Sequence, residues 1–234
     1  MRVINIPQPK QNFRYDEAMN TLRTNITFSG SKIQTVLITS VSPNEGKSSI
    51  SWDLARSFAN SGKRAIYVDT DMRKTVFMQR YGITQKVYGL SEYLSGQCEI
   101  DDAIYQSSIE GLDIVFAGPY SPNPTKLLED GRCDEFFAAI KGRDYDFIII
   151  DTAPLGTVID AAILSKYSDG VAVVVESEVT TIKLLQKVQD QLEKTGARQL
   201  GIILNKVKMN KGGYYSSYYY KGGPDAYSAY EAPR

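Results

Sequence analysis

A run of Thr39-Ser40-Val41-Ser42-Pro43-Asn44-Glu45-Gly46-Lys47-Ser48-Ser49 sits between an apolar stretch and a helical pattern. In such a strand-loop-helix setting, backbone N–H groups at the helix start face phosphate oxygens. Lys47 is then placed to neutralise the β- and γ-phosphates of a nucleotide, and the Ser48 hydroxyl to ligate Mg2+. The first glycine of the usual G-x-x-x-x-G-K-S pattern is Val41, so the loop is a variant. Downstream, Ile66-Tyr67-Val68-Asp69-Thr70-Asp71-Met72-Arg73 puts two carboxylates at i and i+2 past a strand, on one side if the extended geometry persists. One of the pair is suited to magnesium and the other to an incoming nucleophile. A third apolar run, Phe147-Ile148-Ile149-Ile150-Asp151, ends in the aspartate expected to hold a water on the metal. The last chemical feature lies at the far end. Tyr214, Tyr215, Tyr218, Tyr219, Tyr220, Tyr227 and Tyr230 are seven of the chain's 16 tyrosines, packed into its last 21 residues. A phosphate loop and a dense array of phenols on one chain point to a protein that phosphorylates its own tail.

The elements that must carry these residues follow from periodicity. Helices are expected over about Tyr15–Phe28 (with Met19, Leu22 and Ile26 at helical spacing), over Lys47–Asn60 before Gly62, and over Thr180–Lys194. In the last, Leu184, Leu185, Val188 and Leu192 form one apolar face. Short apolar strands are expected at Thr35–Thr39, Ala65–Val68, Leu112–Phe116, Asp146–Ile150, Gly170–Val175 and Leu200–Leu204. Continuous apolar strands alternating with helices indicate a mostly parallel α/β sheet covered by helices on both faces. Such sheets bind ligands beyond the carboxyl ends of their strands. The phosphate loop, Asp69, Asp151 and Asn205 all fall at that edge. One domain over residues 1–207 and a flexible Tyr/Gly/Ser-rich tail over 208–234 complete the plan.

Composition removes other chemistries. The chain has no histidine, which excludes Ser-His and Cys-His nucleophile systems and His-ligated metals. Two cysteines, Cys98 and Cys133, cannot complete a four-thiolate zinc site and are expected as buried free thiols. The 27 basic residues balance the 27 acidic ones, so no global field attracts nucleic acid or anionic lipid, and no nucleic-acid partner is expected. No apolar run approaches the ~18 residues of a bilayer span. The N-terminus lacks a signal-peptide core, so membrane association is expected only through a partner.

The three site motifs, with Gly89-Leu90-Ser91-Glu92-Tyr93-Leu94, Ser121-Pro122-Asn123-Pro124 and Val158-Ile159-Asp160-Ala161, resemble the bacterial protein-tyrosine kinases, the BY-kinases of capsule and exopolysaccharide synthesis. The likeness runs from Arg14 to Lys206 and is closest to the stand-alone cytoplasmic form. The resemblance implies a P-loop NTPase-like fold with ATP and Mg2+ as cofactors. It assigns Lys47 to the phosphates, Ser48, Asp71 and Asp151 to the metal, and Asp69 to the substrate phenol. It counts Arg73 among the catalytic residues and gives Pro43, Asn44, Glu45, Gly46, Ser49 and Asn205 nucleotide contacts, Asn205 reading adenine. It also implies phosphorylation in trans, a homo-oligomer built through a helix at 14–29, the cytoplasmic segment of a membrane adaptor as activator, and a tyrosine phosphatase as antagonist. The expected location is the cytoplasmic face of the membrane.

Two departures stand out. Asn44 replaces a usual glycine, and asparagine tolerates the positive φ the loop needs. In the self-assembly motif E-x-x-R-x-x-R, Glu17 and Arg23 match but Asn20 replaces the first arginine, which weakens the expected ring. The rival reading is a partition- or septum-site-type positioning ATPase on the same fold. It is disfavoured by the lack of a lysine between Lys32 and Lys47 and of a basic amphipathic C-terminal helix.

Overall fold

The computed structural model describes residues 2–7, 12–74 and 76–208. Eight strands form one sheet in the order β1-β4-β5-β3-β6-β2-β7-β8. They are β1 (Arg2–Ile4), β2 (Thr35–Ser40), β3 (Ala65–Asp69), β4 (Ile104–Ser107), β5 (Leu112–Val115), β6 (Phe147–Asp151), β7 (Gly170–Glu176) and β8 (Gln199–Asn205). Every pairing is parallel except β4 with β5.

Because successive strand residues face opposite sides, the apolar strands feed two cores. Leu37, Ile66, Val68, Ile148, Ile150, Val171 and Val173 join the core under α4 (Leu90–Leu94), α6 (Pro124–Glu129), α7 (Gly131–Lys141), α8 (Asp160–Leu164) and α9 (Ile182–Lys194). Val36, Ile38, Ala65, Tyr67, Phe147, Ile149 and Val174 join the core under α1 (Phe13–Phe28), α2 (Lys47–Asn60) and α3 (Phe77–Arg80). The sheet is therefore sandwiched, as the sequence pattern requires. One further helical turn, α5 (Ile100–Ala103), leads into β4.

The helix ends have local causes. Asn12 caps α1, its side chain accepting from the Tyr15 N–H at 3.4 Å, and Met19 and Ile26 are the buried residues of its inner face. α9 starts at Ile182 rather than at Thr180 because Thr181 is its cap and the Thr180 hydroxyl is drawn to Glu45. Its expected face is narrower than the spacing suggested: Val188 and Leu192 are buried, whereas Leu184 is 44% exposed. Cys98 and Cys133 are free and buried, and burial pushes both thiols up to about 11. Among the described residues, no helix is long and apolar enough to cross a membrane. The seven tail tyrosines lie outside the described residues.

Candidate functional site

β2 ends at Ser40, and the chain turns through Val41–Gly46 into α2. Two residues take left-handed backbone to make that turn, Asn44 at φ 67° and Gly46 at φ 93°. Gly46 has a second reason to lack a side chain: a Cβ there would lie 2.1 Å from the Asn205 amide nitrogen. That amide crosses from the end of β8 to donate to the Glu45 carbonyl at 2.8 Å. Lys206 adds a bond from its ammonium to the Asn44 carbonyl, also 2.8 Å. Strand β8 thus braces the loop from below. No side chain caps the first turn of α2, so its leading N–H groups are available to an anion.

The acidic side of the site comes from two adjacent strands in register, with Asp69 of β3 directly beside Asp151 of β6. Lys47 reaches across to them. Its ammonium lies 2.9 Å from Asp151 Oδ1 and 3.8 Å from Asp71. Asp151 Oδ1 also accepts from the Ser51 hydroxyl at 3.2 Å, and Oδ2 accepts from the Tyr67 hydroxyl at 3.0 Å. All four charged groups are nearly sealed from solvent, with Asp71 the most open at 9%. Burial, and then the neighbouring Asp151, hold the Asp69 carboxyl well above the usual carboxylate range. Burial raises Asp71 as well, with Lys47 pulling the other way. For Lys47 burial works against the charge, but Asp151 and Asp71 outweigh it and leave the ammonium above the ordinary lysine value.

One cation among three carboxylates leaves the cluster short of positive charge. A divalent ion with hydroxyl and carboxylate donors, completed by phosphate oxygens and water, fits that deficit and the chemistry of magnesium. Among the described residues, no group of three or more acidic, Cys or His side chains is disposed as a self-sufficient metal cage. A cleft of about 230 Å3 opens over the cluster, lined by Pro43, Asn44, Gly46, Lys47, Ser48, Asp71 and Arg73 among others. A larger groove of about 780 Å3 sits at the opposite, amino-terminal edge of the strands and contains none of these residues. Only the smaller of these two clefts adjoins the clustered charges.

Residues 44–202 match the protein-family model described as an AAA domain. The tyrosine-protein kinase CpsD of Streptococcus pneumoniae is 37% identical over 222 residues, covering 93% of this chain and 97% of that protein. The chain belongs to the bacterial protein-tyrosine kinase family. The crystal structure of the chimerical protein CapA2B2 superposes with a TM-score of 0.79 at 34% identity, over 86% of this chain and 88% of that one. The septum site-determining protein MinD of Pyrococcus horikoshii OT3 has a TM-score of 0.65 at 24% identity, over 76% of this chain and 72% of that one. That second likeness establishes a common fold alone. The protein is a tyrosine kinase on a nucleotide-binding α/β fold, and its likeness to the septum-site protein is distant.

In this bacterial tyrosine kinase the expected site residues do not all face the cleft. Glu45 turns away from it: its carboxylate accepts from the Ser42 N–H at 2.8 Å and from Thr180. Ser49 does not line the cleft; its hydroxyl accepts from Arg80, which does, at 2.6 Å. Arg73 lines the cleft, but its guanidinium is bidentate on Asp160, at 2.7 and 2.9 Å, and contacts Thr125 at 2.8 Å. Asp160 is 1% exposed, so this is a semi-buried clamp between the β3 loop, α6 and α8 rather than a surface pair. Glu17, Asn20 and Arg23 lie along α1. Asn20 donates to Glu17 at 3.2 Å and accepts from the Ser57 hydroxyl at 3.3 Å, and Arg23 donates to the Ser57 carbonyl at 3.3 Å. Asn20 and Arg23 are therefore turned toward α2.

Four site-shaping residues escaped the sequence reading. Ser51 sits one turn after Lys47, at i+4, a spacing that should have drawn notice. Tyr67 is the one hydroxyl in an apolar strand, two residues before Asp69. Asp160 lies inside the quoted Val158–Ala161 motif without an assigned role. Thr180 carried no local signal, because its partner Glu45 is 135 residues away.

Proposed function

We propose that this kinase uses ATP and magnesium to phosphorylate the tyrosine cluster Tyr214–Tyr230 of a neighbouring copy of itself, and that it serves capsule or exopolysaccharide synthesis. The observation that carries this reading is the convergence of Lys47, Asp69, Asp71 and Asp151 beneath a phosphate loop whose helix start is uncapped. Phosphoryl transfer needs alignment and charge neutralisation more than covalent chemistry, and these groups supply both.

Each residue has a task in this account. Lys47 holds the β- and γ-phosphates, Ser48, Asp71 and Asp151 hold the metal, and the Asn205 amide reads adenine. Bound magnesium supplies charge neutralisation along the phosphates. Asp69 orients the phenol. Free tyrosine is ionised in only about one molecule in a thousand at neutral pH, so a carboxylate need only accept the proton late. Raised by burial, Asp69 is a better base than an ordinary aspartate.

Residues 1–207 form the catalytic domain in this reading and 208–234 the substrate. From Lys206 onward the sequence holds five basic residues and two acidic ones, a balance of +3 that includes Lys206 at the domain's edge. Each phosphate adds about −1.5 to −2, so two modified tyrosines cancel the charge that favours an acidic catalytic edge, and more reverse it. That gives modification a route to release. A homo-oligomer through α1, a membrane adaptor as activator at the cytoplasmic face, and a tyrosine phosphatase as antagonist complete the proposal. The relatives named as tyrosine-protein kinases support the kinase activity on which these partners and this pathway depend.

A mixing experiment tests transfer between copies. Full-length Asp69→Asn protein is the acceptor, and active protein with all seven tail tyrosines changed to Phe is the donor. Label from ATP on the acceptor's tail is the expected result. Self-labelling of wild type with no labelling of the acceptor would refute transfer in trans.

A further inference from the structure

Among the described residues the Asp151 carboxylate has three side-chain donors, and they are not equivalent. Lys47 lies 2.9 Å from Oδ1, but phosphate is the partner this lysine is drawn to when nucleotide arrives. Ser51, 3.2 Å from the same oxygen, also lies 2.9 Å from the Lys47 carbonyl and has one proton for both. Only Tyr67, 3.0 Å from Oδ2, has a proton committed nowhere else. Its ring is fully buried and fixed in place. Trp52 of α2 meets it edge-on at 5.5 Å, and Phe77 of α3 lies at 5.1 Å. Strand register explains the reach: Asp69 pairs with Asp151, so Tyr67 is the diagonal neighbour on the same face.

We propose that Tyr67 is a positioning residue, a neutral donor that keeps the Asp151 carboxylate aimed at the metal once Lys47 has turned to phosphate. This rests on the assignment of Asp151 to the metal site. A neutral donor suits the task because it orients the carboxylate without cancelling the charge a cation needs. A phenol, with an ordinary pKa of about 10, carries its proton at neutral pH. A buried tyrosine needs an acceptor in any case, so packing alone is the competing explanation. Tyr145 provides the control: buried, its hydroxyl 2.7 Å from Asp113, and outside the site.

The test measures Mn2+ binding to the full chain in the presence of ADP, counting free Mn2+ by electron paramagnetic resonance. ADP affinity in EDTA is measured alongside. Tyr67→Phe is expected to weaken ADP-linked Mn2+ binding about 5- to 20-fold while leaving ADP affinity in EDTA within about twofold, since one charge-assisted hydrogen bond is removed. Tyr145→Phe is expected to lower stability comparably and leave Mn2+ binding unchanged. Should Tyr67→Phe not fold, 4-methylphenylalanine at position 67, which keeps the packed ring and fills the hydroxyl's space without a donor, takes its place with the same expectation. Wild-type Mn2+ binding in the Tyr67 variant, together with weakened binding in Asp151→Asn, overturns the role of Tyr67 alone. Unchanged binding in Asp151→Asn overturns the metal assignment of Asp151 and, with it, this inference.

Discussion

Replacing Lys47 by Met removes the single cation from a buried cluster of three carboxylates, and the consequence reaches beyond lost catalysis. At an effective dielectric near 20, a contact at 2.9 Å is worth about 6 kcal/mol and one at 3.8 Å about 4 kcal/mol. Desolvation of the lysine offsets much of that gross attraction. Breaking a buried pair from one side typically costs about 3–5 kcal/mol, because the opposite charges are left uncompensated. Lys47→Met should therefore lose about 3–5 kcal/mol of stability without nucleotide, a fall in Tm on the order of 10 °C for a domain of this size. The loss should depend on pH, with a definite sign. Asp69 and Asp71 already bind protons more tightly than free carboxylates, and removing the cation strengthens that tendency. A raised carboxyl pKa gives stability that is present at low pH and lost as pH rises through the folded value. The variant should accordingly recover toward wild type between about pH 7.5 and about pH 5. Urea denaturation at both pH values, in EDTA and without nucleotide, measures the difference. A variant within about 0.5 kcal/mol of wild type at the higher pH would refute the view that Lys47 neutralises the cluster.

Other perturbations bear on separate parts of the site. Gly46→Ala combines a left-handed backbone with a 2.1 Å clash against Asn205. It should cost about 1–3 kcal/mol and sharply weaken ADP binding by calorimetry; normal affinity would show that the loop is not braced by β8. Arg73→Lys keeps the charge but loses the bidentate grip on Asp160. Turnover should fall about 10- to 100-fold with ADP affinity little changed; unchanged turnover would make the clamp purely structural. Carbon-13 NMR of the nucleotide-free protein should show Asp69 titrating above the ordinary carboxylate value of about 4. A midpoint at or below that value would remove the case for Asp69 as the base.

How much of this was visible beforehand follows from what each feature depends on. Strands β2, β3, β6 and β7 announce themselves because burial on both faces demands an unbroken apolar run, as in Phe147–Ile150. Strands β1 and β4 do not. Three or four residues such as Ile104–Ser107 carry no period, and β4 depends on its pairing with β1 on one side and antiparallel β5 on the other. The site divides in the same way. Lys47, Asp69 and Asp151 were legible because each ends or follows a recognisable element. The inward turn of Glu45 was not, since it depends on Thr180, 135 residues along the chain. Nor was the Arg73 clamp, which requires Asp160 to arrive from another helix. Leu184 misled for a simpler reason: helical spacing gives a face, but not how much of that face the neighbouring strand covers.

The central claim is that the terminal phosphoryl group of ATP passes to phenols of the chain's own C-terminus. The most direct test is mass spectrometry of the full-length protein after incubation with Mg·ATP, with free phosphate measured on the same sample. Phosphotyrosine is expected within Tyr214–Tyr230 of wild type and none in Asp71→Asn. Steady release of free phosphate with every one of those tyrosines unmodified would contradict it.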